Sequence, residues 1–354
     1  MTSSLKAIDF FCGSGGMTSG FRKAGIEVLA GIDIDEECKE TYETNNTGSQ
    51  FILADIKTLT CEELKEKTEI VENDDELVFI GCSPCQYWSI MNTDRKRSHE
   101  TKNLLTDFQK FVKHFKPGFV VVENVPGILT TKEESPLPAF LKFLMEENYS
   151  YDCDVIKVCH YGVPQTRRRF ILVASRVKGK EKIKIPPADT KENLPTVRQF
   201  ISEEKGFPKL EAGHRDDTGN NHTVAGLREV NLKRLEITAP DGGTRESWRN
   251  TELQINAYRG KDQIFKDVYG RMHWDQPGPT ITTKFFSISN GRFGHPEQNR
   301  AISLREGATL QTFDRNYIFK GKSIGANARM IGNAVPPALS QRIAKSIMEK
   351  HYDR

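Results

Sequence analysis

The chain has no apolar run of membrane-spanning length, and its start, Met1-Thr2-Ser3-Ser4-Leu5-Lys6, lacks the charged-then-apolar pattern of a secretory leader. Net charge is also scarce. At +3 over 354 residues, composition alone does not announce a nucleic-acid partner. The seven cysteines form a single Cys-x-x-Cys spacing, which leaves no framework for a disulfide scaffold or a four-cysteine zinc site. No internal repeat or low-complexity tract interrupts the chain. These absences predict a cytoplasmic protein with no membrane partner, long enough for one large and one small domain.

What is present in the first half is alternation. Short β-prone runs at residues 6–11, 28–32, 51–53, 77–80 and 119–122 are separated by helical patterns near 17–25, 36–45, 61–68 and 104–115. That order predicts an α/β fold with a parallel sheet covered on both faces. Right-handed crossovers then put the strands' C-terminal ends on one edge, where ligands bind.

Several reactive groups fall at that edge. Gly13-Ser14-Gly15-Gly16 follows the first strand, and glycines there let a cofactor approach a helix N-terminus. Asp33 and Asp55 close the second and third strands, where an acid can hold ribose hydroxyls, so the constellation points to a nucleoside cofactor. Cys85 lies in Gly81-Cys82-Ser83-Pro84-Cys85-Gln86 after the fourth strand, a place for a nucleophile. Cys82 and Cys85 also have the spacing of a redox pair or half a zinc site. Glu123 ends the fifth strand, positioned either for acid–base work or as a capping acid. Alternation before the run 170–174 puts Gln165, Arg167 and Arg169 on one face and Thr166 and Arg168 on the other.

Residues 87–99 are polar and include Arg95-Lys96-Arg97, consistent with a loop whose cations meet phosphates, or with a solvated loop. Residues 178–184 form a charged connector, and the stretch to about 280 mixes cations, aromatics and Gly/Asp/Asn-rich turns without regular alternation. Such a stretch suits a module that recognises a partner, or a structural subdomain with phosphate contacts only. Trp274 is expected to be buried. After Pro336-Pro337, Leu339, Ile343 and Ile347 form one helical stripe, expected to dock on the N-terminal sheet and bring Asn333 and Ala334 to the cofactor.

The run Asp9-Phe10-Phe11-Cys12-Gly13-Ser14-Gly15-Gly16 resembles the first motif of S-adenosylmethionine-dependent DNA (cytosine-C5) methyltransferases. The resemblance continues in order through Asp33-Ile34, Asp55-Ile56, Pro84-Cys85-Gln86, Glu123-Asn124-Val125, Gln165-Thr166-Arg167-Arg168-Arg169, Arg305-Glu306 with Leu310-Gln311-Thr312-Phe313, and Gly332-Asn333-Ala334-Val335-Pro336-Pro337. It implies a Rossmann-like catalytic domain from residues 1–177 plus 326–354 and a smaller, mostly irregular/β target-recognition domain at 178–325. It further implies that Phe11, Gly13, Ser14, Gly15, Gly16, Asp33, Ile34, Asp55, Ile56, Pro84, Leu105, Asn333 and Ala334 bind S-adenosyl-L-methionine. Cys85, Glu123, Arg167, Arg169 and Gln165 would serve catalysis, with Arg167 on the base's O2 and Arg169 as support. Gln86, Ser89, Arg95, Lys96 and Arg97 would touch double-stranded DNA, from which one cytosine is flipped.

Two departures stand out: Trp88 replaces the usual Phe, and Asn103 stands where a glycine is common. A tRNA-methylating branch shares the scaffold, but its Cys-Phe-Thr signature is missing here. An inactive cofactor- and DNA-binding paralogue is the other alternative, opposed by the full set of catalytic side chains. The family also implies a prokaryotic monomer, nucleoid-associated when on DNA, with a cognate restriction endonuclease acting separately.

Overall fold

A computed structural model describes residues 5–83, 103–129, 135–179, 181–190, 192, 194–260 and 264–353. The chain divides into two compact units. One comprises Met1–Lys157, Arg168–Ala188 and Val335–Arg354, the other Val158–Arg167 and Asp189–Ala334.

The first unit is built on a seven-stranded sheet of β1 (Lys6–Phe10), β2 (Glu27–Asp33), β3 (Gln50–Leu53), β4 (Leu77–Gly81), β5 (Phe119–Asn124), β6 (Ser150–Lys157) and β7 (Arg168–Ser175). Their order is β3-β2-β1-β4-β5-β7-β6. Neighbouring pairs from β3 to β5 are parallel, whereas β7 runs antiparallel to both β5 and β6. The five strands of the first half are thus parallel, as the alternation predicts, and the reversal belongs to the strand β7 that follows them. No crossover helix stands between β6 and β7, only the short stretch 158–167, and two strands so joined must reverse direction. The consequence is functional: the start of β7 reaches the same edge as the end of β5, with Glu123 opposite Ile171 and Asn124 opposite Phe170.

The helices of this unit include α1 (Gly16–Ala24), α2 (Lys39–Asn45), α3 (Cys61–Thr68), α4 (Leu104–Phe115), α5 (Leu137–Glu146) and a C-terminal helix, Pro337–Tyr352. The expected helix at 36–45 begins as a 3-10 turn, Glu36–Cys38, capped by the Asp35 carboxylate. Alternate strand residues, Ile8 and Phe10, Phe79, Val120 and Val122, join Phe108, Phe111 and Phe115 of α4 and Phe140 of α5 in one core. Phe10 meets Phe79, Phe108 and Phe111 at ring-centroid distances of 5.1 Å each. The opposite face receives the C-terminal helix, whose His351 ring lies edge-on to Phe119. That helix packs closely on α1: a Cβ at Gly20 would lie 2.3 Å from the Ser340 Cβ.

Among the described residues the second unit has isolated β-bridges instead of strands. Its helices are Arg198–Ile201, Glu229–Ile237, Leu304–Leu310 and Ile324–Asn333, separated by turns. Buried polar side chains replace sheet hydrogen bonding as its organising contacts, as with Arg271, which donates to the carbonyls of Leu235, Thr238, His295 and Gln298. Trp274 is buried, as expected. No helix among the described residues is long and apolar enough to cross a membrane.

Candidate active site

The glycine turn leaves β1 through three left-handed residues, Phe11 (φ 63), Gly13 (φ 49) and Gly15 (φ 87). Glycine takes these angles without strain, and open space lies where a Gly13 Cβ would sit. The turn folds back on the tip of β2: the Gly13 amide donates to Asp33 Oδ2 at 2.7 Å, and the Asp35 amide to Oδ1 at 2.9 Å. Burial pushes the Asp33 pKa up, while these two amides pull it down. The next side chain, Ile34, is 67% exposed. An apolar side chain left in the open beside a fixed carboxylate suits a flat base joined to a sugar. At the tip of β3, half-buried Asp55 accepts the Lys57 amide at 3.0 Å, and Ile56 is buried. Ser14 and Gly16 are buried in the turn, and Leu105 is part of the α4 core.

Sequence reasoning passed over Asp9 as a site residue. It is fully buried in β1, and its Oδ2 accepts from the Thr18 amide at 3.1 Å and the Thr18 hydroxyl at 2.7 Å. Burial pushes its pKa up to about 7 against those two hydrogen bonds. An acid inside an otherwise apolar strand was the available signal.

Three strand ends converge a short distance along the same edge. Glu123, at the end of β5, is buried and pairs with Arg169 of β7, Oε1 to Nε at 2.6 Å. The antiparallel entry of β7 is what delivers the arginine there. Asn124, also buried, donates from Nδ2 to Ser83 Oγ at 3.1 Å, tying β5 to the residue two before Cys85. Cys85 itself, with Pro84, Gln86, Ser89, Arg95, Lys96 and Arg97, lies outside the described residues.

Gln165 and Arg167 belong to the second unit, and both turn inward while Thr166 and Arg168 are exposed, as the alternation predicts. Their shared partner is Gln311, whose Oε1 accepts from Gln165 Nε2 at 2.7 Å and from Arg167 Nη1 at 3.3 Å. Arg167 also donates to the carbonyls of Ile281 and Gly332 at 2.7 Å and of Ala334 at 2.9 Å. Gln311 Nε2 reaches the carbonyls of Ile331 and Ala334 at 2.6 and 3.1 Å. These bonds stitch together three remote chain segments, and they fix the backbone just past exposed Asn333. Arg169, by contrast, stands with Glu123 in the first unit. In the second unit Arg300 grips Glu306 with two bonds of 2.7 and 2.8 Å. Burial alone would raise the Glu306 pKa, but Arg300 and the Ser303 amide hold it down to about 2. No cluster of three or more His, Cys, Asp or Glu able to hold a metal occurs among the described residues.

The family model for C-5 cytosine-specific DNA methylases matches residues 5–349. The Type II methylase M.HgiDII of Herpetosiphon aurantiacus is 39% identical over 346 residues, covering 96% of this chain and 94% of its own. The Type II methyltransferase M1.HphI of Haemophilus parahaemolyticus is 31% identical over 357 residues, with 98% and 87% covered. Among solved structures, a prophage-encoded E. coli protein described as a DNA modification methyltransferase matches with a TM-score of 0.75 at 22% identity, covering 98% of this chain and 99% of that one. The Dnmt2 methyltransferase of S. pombe matches at 0.64 and 15%, with 98% and 99% covered. Identities this low bear on fold alone.

Proposed function

The chain belongs to the C-5 cytosine-specific DNA methylase family, and we propose that it methylates C5 of one cytosine turned out of a specific duplex sequence, with Cys85 bonded transiently to C6. It is a DNA (cytosine-5-)-methyltransferase. The observation that carries the mechanistic reading is the buried Glu123–Arg169 ion pair at the strand edge, with Asn124 anchored to Ser83 beside it.

The Cys85 thiolate adds its electron pair to C6, and the displaced π pair makes C5 nucleophilic. Glu123 steadies N3 as charge builds there, which lowers the barrier to addition. Arg169 holds the Glu123 carboxyl in place and has further N–H groups for the base's O2. Arg167 takes a different part, bracing the second unit through buried carbonyls. After transfer the C5 proton leaves, the C6–S bond breaks, and the thiolate is restored.

The residues at the glycine turn fit S-adenosyl-L-methionine, which supplies an electrophilic methyl group on a sulfonium. The observation behind the fit is the fixed Asp33 carboxylate next to exposed Ile34. Asp33 would accept from ribose hydroxyls, Ile34 would cover one face of the adenine, and Asp55 would accept from its exocyclic amine.

The Type II names of the relatives support a place in a restriction–modification system, with a cognate endonuclease acting as a separate protein. We take the enzyme to work as a monomer in a prokaryotic cytoplasm, on nucleoid DNA. Bisulfite sequencing of DNA from cells expressing it would give the target sequence. A duplex with 5-fluorocytosine at that target should then form a covalent adduct in the presence of cofactor, and Cys85→Ala should form none. An adduct that survives Cys85→Ala sinks the mechanism, and methyl incorporation into tRNA instead of duplex DNA overturns the substrate.

A further inference from the structure

We propose that Lys110 of α4 is a positioning residue for the cofactor site, aiming the Asp55 carboxylate by clamping the turn that carries it. The proposal rests on the reading of Asp55 as the acceptor for the adenine amine. Residues 55–59 form a tight turn that closes on Asp55: its carbonyl accepts the amides of Thr58 at 3.0 Å and Leu59 at 2.9 Å and the Thr58 hydroxyl at 3.2 Å, and its Oδ1 accepts the Lys57 amide. These bonds leave the carbonyls of Ile56 and Lys57 directed away from the turn. Lys110 Nζ takes both, at 2.6 and 3.2 Å. An ammonium on the carbonyl end of a helical turn is favoured by the aligned peptide dipoles.

The clamp is mounted on a rigid base. On α4, Phe108, Phe111, Val112 and Phe115 are all fully or almost fully buried, and the ammonium of Lys110 also lies 4.8 Å from the centroid of the Phe111 ring. The charges around it are mixed. Asp107, one turn earlier on α4, has its pKa raised by burial, lowered by Lys110 and Lys57, and raised again by Asp55. Two carboxylates and two ammonium groups therefore share this strand tip, and Lys110 is the cation that grips backbone. Without it, water can satisfy the two carbonyls and the fold survives, but the turn is free to rotate the Asp55 carboxylate away from a ligand amine.

The test uses the full-length protein and two product-like ligands, S-adenosyl-L-homocysteine and its inosine analogue, in which a 6-oxo group replaces the 6-amine. Calorimetric titration should show wild type preferring the adenosine form. Lys110→Met should weaken that form by about tenfold or more, the worth of one hydrogen bond to a charged group, and leave the inosine form nearly unchanged. Lys110→Arg should restore much of the preference, and Lys110→Met should add nothing in an Asp55→Asn background. Equal weakening of both ligands, or an unchanged preference, would make Lys110 merely structural and overturn the proposal. Equal binding of the two ligands by wild type would instead overturn the reading of Asp55, and the proposal with it. Thermal unfolding of Lys110→Met close to wild type confirms that the readout is local.

Discussion

Arg167 and Arg169 stand two positions apart, yet their guanidinium groups do different chemical work. Arg167 satisfies carbonyls of three separate residues in the second unit, so Arg167→Ala should lower stability by about 3–5 kcal/mol, the usual loss when a buried charged network is broken. Chemical denaturation would read this directly. Arg169 instead has one carboxylate partner in the first unit, and Arg169→Ala leaves the buried Glu123 carboxylate without its cation, so it should both lower stability, by up to about 3–5 kcal/mol, and slow methyl transfer. Glu123→Gln should cost roughly 10²–10⁴ in turnover, the range expected when an acid–base group is lost, with cofactor binding kept. If single-turnover rates for Glu123→Gln match wild type, the assignment of Glu123 to the base fails. The types of these residues and their alternating faces were legible in the sequence. Which arginine meets Glu123 was not, because that depends on a neighbouring strand's direction.

At the scale of elements, close approach decides more than propensity. Helix α1 and the C-terminal helix meet at Gly20, where an added Cβ would come within 2.5 Å of the Pro337 carbonyl as well as striking Ser340. Gly20→Val should therefore destabilise by at least about 1–3 kcal/mol through overpacking, seen as a lower thermal midpoint. An unchanged midpoint would mean that the two helices do not pack as described. Gly81 is similar, since a Cβ there would reach Phe108 at 2.8 Å. The central strands were readable because each is a short, mostly apolar run buried on both faces. Strand β6 escaped notice for the opposite reason: it is an edge strand, and its sequence Ser-Tyr-Asp-Cys-Asp-Val-Ile-Lys is half-exposed along most of its length. The stretch after Ser175 gave no periodicity because its described residues contain no regular sheet, only short helices and turns held by buried polar side chains.

For the whole molecule, two buried groups pull in opposite directions as pH changes. Asp9 has its pKa raised to about 7 by burial, so the stability it contributes is present below about 4 and lost as pH rises through 7. His295 has its pKa lowered to about 4 by burial, so its contribution is present above about 6.5 and lost as pH falls through 4. The structural cause is plain, because its Nδ1 accepts the amides of Glu297 and Gln298, and a proton there breaks both bonds. Stability measured by denaturation between pH 4 and 7 should therefore fall more steeply with acid in Asp9→Asn than in wild type, and less steeply in His295→Gln. Each group changes the slope by at most about 1.4 kcal/mol per pH unit. Slopes that move the other way would refute both assignments.

The sequence by itself determined the alternating sheet, the glycine turn with Asp33 and Asp55 at successive strand tips, and the kinds of side chain gathered for the chemistry. Those features follow from local periodicity and from residues placed at element ends, both of which one chain segment carries alone. Only the tertiary structure decided that β7 reverses and hands Arg169 to Glu123, that Arg167 is bound into Gln311 and remote carbonyls, and that Lys110 clamps the Asp55 turn from more than fifty residues away. Such pairings join segments distant in sequence, and hydrogen-bond partners at that range are set by packing, which no local pattern encodes.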